Sequence, residues 1–536
     1  MRPEKGVMKP EVSQKPERDE HQPTSNIGGW LKQQRLIILL LTLALVRGFS
    51  YANLMPPWAI IDEEQHLHYI QMLSEERQRP DPRSDYLSEE IVASLFEAHR
   101  WETFGFGTPA AQNPRAMGLE GYSYEGYQPP LYYLLMLPIY RLAQGSMLAR
   151  LFMLRWATVA LSSLTIVITY FMVKRLNGSK WLAFLAALIL LSIPERTVAV
   201  SRVNNDALLE ILGALYLWLS LRAVSETPND RNTVLLGLVL GLGTLTKMTM
   251  LPLVIALPFL FYPSRETYSL RRGLSLSLGS AAVLILPLIA YNLRQFGDVT
   301  GFGAVSPMLN FPAPAFSMAA LLDSFVRLFI YFWVILWQSA QAAINPTFTL
   351  FYGILFLISC LSVLGWRVAL RANPASEGDR RRAISIWLLA AAIGAYSCFT
   401  LYSYWIGQVP VIQGRFLLPV SAAIAVLLVN GLQRAPLPAF SLTILILVLV
   451  LMDGLALFTH LLPQYYPPDL TMLPSQNVVP EVLPMIELYL LRIGAYKPGM
   501  VQQLLGATIA GYILAQVLAI LGSLLAIRKL LKAEST

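Results

Sequence analysis

The stretch Asp62-Glu63-Glu64-Gln65-His66-Leu67-His68 packs three carboxylates and two imidazoles into one short segment. A carboxylate can take a proton from a hydroxyl or amine held within hydrogen-bond reach, and Asp62, with Glu63 beside it, is the first candidate for such a base. His66, four residues on, shares a helical face with Asp62 and could orient it or a bound anion. The same residue types also suit a helix start, with Asp62 as N-cap and Glu63 and Glu64 in the first turn. Asp62 therefore has two readings, and His66 has a second one as an ordinary interfacial histidine.

The elements that must position this cluster are membrane helices. The cluster follows the apolar run Leu36 to Met55 after only a few residues. That run is close to the roughly 20 residues that cross a bilayer, and it lacks a small-residue cleavage site, which predicts an uncleaved first span. Over its 536 residues the chain is 55% hydrophobic and 14% charged, with a mean hydropathy of +0.52. A soluble domain carries about 25% charged residues. The composition predicts an all-α integral membrane protein, and its expected location is the plasma membrane. The net charge of +8 does not indicate nucleic acid, because the Lys and Arg fall between apolar runs, where they set topology. Cys360 and Cys398, both inside predicted spans, are expected to pack rather than form disulfides.

Further spans are expected near 151–173, 181–198, 206–223, 233–247, 248–263, 273–291, 346–366, 383–401, 416–432, 437–458 and 502–526, about twelve with the first. The stretch 320–340 is apolar, but Asp323, Arg327 and Gln338 interrupt it, and leaving it out keeps Lys and Arg in the cytoplasmic loops. On that count the N-terminus, with a disordered tail over 1–34, and the C-terminus are cytoplasmic. The long connections 56–150, 292–345, 402–415 and 459–501 lie on the opposite side. The first of them should contain interfacial helices over Glu63 to Glu76 and Pro130 to Leu142. Their apolar faces would be Leu67, Ile70 and Leu73 in one, and Leu134, Leu135, Pro138 and Ile139 in the other.

More candidates for chemistry fall on the Asp62 side. Asp206 opens a span in Asn204-Asn205-Asp206, as a cap or as a carboxylate lining a cavity. Lys247, Arg294 and Arg415 sit at outer span ends, where the positive-inside rule does not account for them. They could grip an anion such as a phosphate, or snorkel to headgroups. Arg47, inside the first span, needs a cavity or a carboxylate. Asp62, Glu63, His66 and Asp206 could supply ligands to a divalent cation, but nothing in their spacing demands one and no metal site is assigned.

Asp62-Glu63 after the first span, Tyr127-Gln128-Pro129-Pro130-Leu131-Tyr132-Tyr133, Asn204-Asn205-Asp206-Ala207 and Gly241-Leu242-Gly243-Thr244-Leu245-Thr246-Lys247 are followed by Asn292-Leu293-Arg294 with Gly297-Asp298. Gln413-Gly414-Arg415-Phe416-Leu417-Leu418-Pro419 comes last. In this order they resemble the GT-C superfamily of multi-pass glycosyltransferases, in the bacterial and archaeal branch related to protein O-mannosyltransferases and lipid A aminoarabinose transferases. The resemblance covers about residues 36 to 435. It implies a catalytic module over 35–435, followed by C-terminal helices over 436–536 that carry the external segment 459–501.

The resemblance also implies a sugar donor on polyprenyl phosphate and a protein, lipid or glycan acceptor, with Asp62 the general base of an inverting transfer and Glu63 beside it. Asp206 would line the same cavity, and His66, Lys247, Arg294, Arg415 and Tyr127 would bind substrate. Gln128-Pro129-Pro130 is expected to set Tyr127, Tyr132 and Tyr133 over the cavity mouth. The competing expectation is a transporter or flippase, in which intramembrane charges mark a substrate path.

Overall fold

The computed structural model describes residues 27–58, 62–101, 112–226, 228–261, 268–309, 311–334, 348–371, 376–409, 411–458 and 493–534. Of the expected disordered tail over 1–34, residues 1–26 lie outside them and 27–34 are instead the start of the first helix, and most of the expected external segment 459–501 also lies outside them. The described residues are helical, apart from loops and one isolated bridge between Tyr86 and Tyr122.

After α1 (Ile27–Leu54) the long first connection holds α2 (Glu63–Glu75), α3 (Glu89–Glu97) and α4 (Leu131–Leu142). Then come α5 (Met147–Asn177), α6 (Lys180–Leu191), α7 (Pro194–Val200), α8 (Asp206–Ser225), α9 (Asp230–Thr246), α10 (Leu257–Phe261) and α11 (Leu270–Phe296). The remainder is α12 (Met318–Trp333), α13 (Thr349–Arg371), α14 (Glu377–Trp405), α15 (Leu418–Leu432), α16 (Pro438–Ala456) and α17 (Gly499–Glu534).

Every expected span has a helix, yet among the described residues nine are long and apolar enough to cross a membrane, or ten if the bent pair α6 and α7 counts as one span. The chain is a multi-pass membrane protein. Proline accounts for much of the shortfall from twelve. Pro194 opens α7 after a 68° bend, and Pro252 sits in a 3-10 stretch, Met248–Ala256, where a ring without an N–H cannot continue an α-helix. The stretch 320–340 appears as the 16-residue α12, and residues 335–340 lie outside the described set.

Two expectations are corrected. Helix α2 does not lie along an interface: Glu63 to Met72 are all buried, with Leu67 and Ile70 sealed in the core. Only α4 turns an apolar face outward, through Leu134 and Leu135. Cys360 and Cys398 are free and exposed on their helices rather than packed.

Buried ion pairs tie distant helices together. Arg47 of α1 meets Asp453 of α16 at 2.5 Å, and Asp453 also accepts hydrogen bonds from Tyr51 at 2.5 Å and Tyr512 at 2.7 Å. Both charges are almost fully buried. Arg196 of α7 and Glu210 of α8 form a second pair, at 2.7 Å, with Ser421 of α15 donating to Glu210 at 2.8 Å. Removing one partner of such a pair leaves an uncompensated buried charge, which costs about 3–5 kcal/mol. Arg47→Met is therefore expected to lower the thermal unfolding midpoint in detergent sharply, and a midpoint equal to the wild type's would remove the latch role of Asp453.

Candidate active site

The residue before α2 is in an unusual conformation. Asp62 has φ 80°, in the left-handed region, and its side chain makes no capping bond to the helix behind it. Such backbone strain in a non-glycine residue is held in place only by surrounding contacts. Here they are Tyr124 Oη, which donates to Asp62 Oδ1 at 2.6 Å, and Arg415 Nη2, which donates to Oδ2 at 3.2 Å. Burial pushes the Asp62 carboxyl up, but Arg415, the Tyr124 hydrogen bond and the charges around it more than offset this. The carboxyl stays below the ordinary carboxylate range and is ionised at neutral pH.

Asp206 is released from capping by its neighbour, since Asn204 Oδ1 accepts from the backbone N–H of Asp206 at 2.8 Å and of Ala207 at 3.3 Å. The Asp206 carboxylate is then open to Lys247 Nζ at 2.6 Å, with Arg415 Nη1 at 4.0 Å from its other oxygen. Arg415 thus lies between two aspartates contributed by different parts of the chain. It is carried by the 3-10 turn Gly414–Leu417, which sits tight against α12: a Cβ on Gly414 would stand 1.9 Å from the Tyr331 carbonyl oxygen. Lys247 ends α9 just before the proline-bearing 3-10 stretch, so the break in that span delivers the ammonium.

Glu63 points elsewhere. Arg155 of α5 grips it with two bonds, Nε to Oε1 at 2.9 Å and Nη2 to Oε2 at 2.5 Å, and the Val203 N–H donates to Oε1 at 3.0 Å. The same guanidinium donates to the carbonyls of Ala52, Met55 and Pro56. Both side chains are fully buried. Glu63 therefore braces the chain between α1 and α2 and does not share the Asp62 contacts expected of it. Arg294 is likewise absent from the cluster, being exposed near the end of α11 with no ion pair among the described residues.

His66 does face the site. Its Nδ1 is 2.9 Å from Tyr133 Oη, and burial drives the imidazole down to about 3, so it is neutral at physiological pH. Tyr132 and Tyr133, expected over the cavity mouth, are sealed in the core, Tyr133 stacked on Tyr69 with centroids 3.8 Å apart. Tyr127 is partly exposed and packs edge-on against Phe302 at 5.6 Å.

Residues not singled out from sequence complete the site. The 3-10 turn Tyr124–Tyr127 supplies Tyr124 and Glu125, and Gln128 follows, donating to Tyr127 Oη at 2.9 Å and accepting from Asn205 at 3.3 Å. Arg79 holds the turn by donating to the carbonyls of Gly126, Tyr127 and Gln128. Gly126 is required there, because a Cβ would lie 2.4 Å from the Pro80 carbonyl oxygen. Arg202, between α7 and α8, is the third cation. It is buried, lies in the field of Asp62, Asp206 and Arg415, and has no ion pair within 4.0 Å among the described residues; its Nε has no hydrogen-bond partner. The outer-end position that drew attention to Lys247 also applies to Arg202. Among the described residues no group of three or more His, Cys, Asp or Glu side chains is placed to hold a metal ion.

The family profile described as dolichyl-phosphate-mannose-protein mannosyltransferase matches residues 127–291. The crystal structure of ArnT from Cupriavidus metallidurans bound to undecaprenyl phosphate is similar to this chain with a TM-score of 0.50 and 15% identity, covering 92% of this chain and 77% of that one. The chain has the GT-C fold. The apo form of the same ArnT is similar at a TM-score of 0.46 and 16% identity, covering 93% of this GT-C chain and 77% of its own. The oligosaccharyltransferase AglB from Archaeoglobus fulgidus, in complex with an inhibitory peptide and a dolichol phosphate, is similar at 0.43 and 13%, covering 92% and 56%. No curated protein matches the GT-C chain by sequence. The site described above lies where the long first connection of this fold meets α8, α9 and the start of α15.

Proposed function

We propose that this protein is a membrane glycosyltransferase that moves a sugar from a polyprenyl-phosphate donor to an acceptor on the extracytoplasmic side, with Asp62 as the general base of an inverting transfer. The single observation that carries the reading is charge. Three cations, Arg415, Lys247 and Arg202, converge on Asp62 and Asp206, with the buried Glu195 in the same field, and among the described residues Arg202 has no ion pair within 4.0 Å. A buried guanidinium with no ion pair in contact is costly, and an anion from outside the chain would meet it directly. A lipid-linked phosphate entering from the bilayer has that charge, and the ArnT relative binds undecaprenyl phosphate. The family profile over residues 127–291 points to the same donor class.

The geometry supports a sequence of roles. Phosphate oxygens would take Arg202, Arg415 and Lys247, which stabilise the negative charge that grows on the leaving group. Drawing Arg415 toward the phosphate weakens its hold on Asp62, so the carboxylate becomes a stronger base when the donor is bound. Asp62 then takes the proton of the acceptor hydroxyl as it attacks the anomeric carbon. Phosphate needs no acid to leave at neutral pH, so one base suffices, unlike the paired carboxylates of a glycosidase. Glu63, tied to Arg155, positions the backbone that holds Asp62 in its strained conformation.

The test is binding of undecaprenyl phosphate to the purified protein in lipid nanodiscs. Arg202→Gln is expected to weaken binding about ten-fold, the loss of one charge-assisted contact of about 1.4 kcal/mol. Arg294→Gln is expected to change it less than two-fold, because that side chain lies outside the cluster. Equal affinities for the wild type and Arg202→Gln would remove the phosphate from this pocket.

A further inference from the structure

Glu125 is a carboxyl that the ion pairs described above leave unused. It sits on the turn Tyr124–Tyr127, directly after the tyrosine that holds Asp62. Its side chain is nine-tenths buried, and Oε2 is sealed from solvent with no hydrogen-bond partner among the described residues. The groups that face it come from several elements: Asp62 ahead of α2, Lys247 at the end of α9, Arg415 before α15, and Gln128 from its own strand of chain. The phenols of Tyr124, Tyr127 and Tyr133 lie within its field. The turn is not free to carry Glu125 away, since Arg79 holds three of its carbonyls and Gly126 is pressed against Pro80. A buried polar atom without a partner, fixed at a site, is a group waiting for a ligand atom.

We propose that Glu125 is a specificity-determining residue whose free carboxyl oxygen hydrogen-bonds one hydroxyl of the substrate, on the transferred sugar or on the acceptor, beside the atom that Asp62 serves. The inference rests on the glycosyltransferase reading above. A site built to bond a hydroxyl rejects analogues that lack it, because its own buried group is then left unpaired. The protonation state suits the task. Burial, with the Asp62 charge behind it, pushes the Glu125 carboxyl up to about 7, whereas Lys247, a hydrogen bond with Gln128 and Arg415 pull it down more weakly. On the acid side of that value it is a neutral hydrogen-bond donor that does not repel an anionic donor lipid. Above it, a second negative charge appears next to Asp62. Because the folded value is raised, the contribution to stability is full below the ordinary glutamate range and is lost as pH rises through about 7.

The experiment is kcat/KM for sugar transfer in proteoliposomes by the wild type, Glu125→Gln and Glu125→Leu, between about pH 5 and 9. Each is assayed with donors lacking single sugar hydroxyls and, separately, with acceptor analogues, so that the two sources of the hydroxyl are told apart. The wild type is expected to lose activity on the alkaline side of about pH 7. Glu125→Gln, which keeps an N–H donor but cannot ionise, should lose that limb and stay within about three-fold of the acid plateau. Glu125→Leu should fall at least about ten-fold and should no longer discriminate against one particular deoxy analogue. An unchanged alkaline limb in Glu125→Gln, together with unchanged discrimination in Glu125→Leu, overturns the role of Glu125 and leaves the glycosyltransferase reading standing. Absence of transfer by the wild type overturns both.

Discussion

Asp62→Asn is expected to lower the turnover of sugar transfer by about 10³-fold, within the range that one positioned general base contributes. The substitution suits the site because asparagine tolerates the left-handed φ of 80° that this position requires, so the backbone before α2 need not move. The amide can still accept from Arg415 through its oxygen and donate to Tyr124 Oη through its N–H, but it cannot take a proton. The thermal unfolding midpoint should therefore remain near the wild type's, and binding of undecaprenyl phosphate should persist. Measuring turnover, midpoint and lipid binding on the same preparation separates a lost base from a lost fold. Transfer at the wild-type rate in Asp62→Asn would end the mechanism, whatever the donor proves to be.

Arg155→Met should produce the opposite pattern, with a large loss of stability. The Glu63 carboxylate would be left buried with one backbone N–H, and three carbonyls at the end of α1 would lose their donor. Breaking a buried pair in this way costs about 3–5 kcal/mol, enough to bring the unfolding midpoint down by many degrees. Replacing both partners, Arg155→Met with Glu63→Leu, should recover much of the loss, since no lone charge remains inside. A double variant no more stable than Arg155→Met alone would mean that the two side chains are not coupled. If instead Glu63→Gln lost turnover as steeply as Asp62→Asn while keeping its midpoint, Glu63 would be acting on the substrate and not as a brace.

Hydropathy and charge in the chain are sufficient to indicate a multi-pass helical protein and the place of each span, because a helix must satisfy its own backbone in lipid and the length needed is fixed by the bilayer. They did not reveal where spans break. Pro194 and Pro252 are visible in the sequence, but whether a proline bends a span by 68° or shortens it depends on what packs against it.

At the site, residue type and position along the chain selected Asp62, His66, Asp206, Lys247 and Arg415, all of which the fold brings into one electrostatic cluster. The same signals also selected Glu63 and Arg294, which it does not. Adjacency in sequence says little about adjacency of side chains at a helix start, where successive residues point about 100° apart, and Glu63 is turned to Arg155 while Asp62 turns to Arg415.

What the sequence determined by itself is the inventory: helices that cross a bilayer, a long connection after the first, and acidic and basic side chains at span ends. What only the tertiary structure decided is pairing. Asp62 and Arg415 stand 353 positions apart in the chain and 3.2 Å apart in space. No periodicity or local propensity reports such a contact, because it arises from the packing of α5, α8, α9 and α15 around the long first connection. Among the described residues the same packing leaves Arg202 with no ion pair within 4.0 Å and Glu125 Oε2 without a hydrogen-bond partner, and those two groups are what point to a ligand.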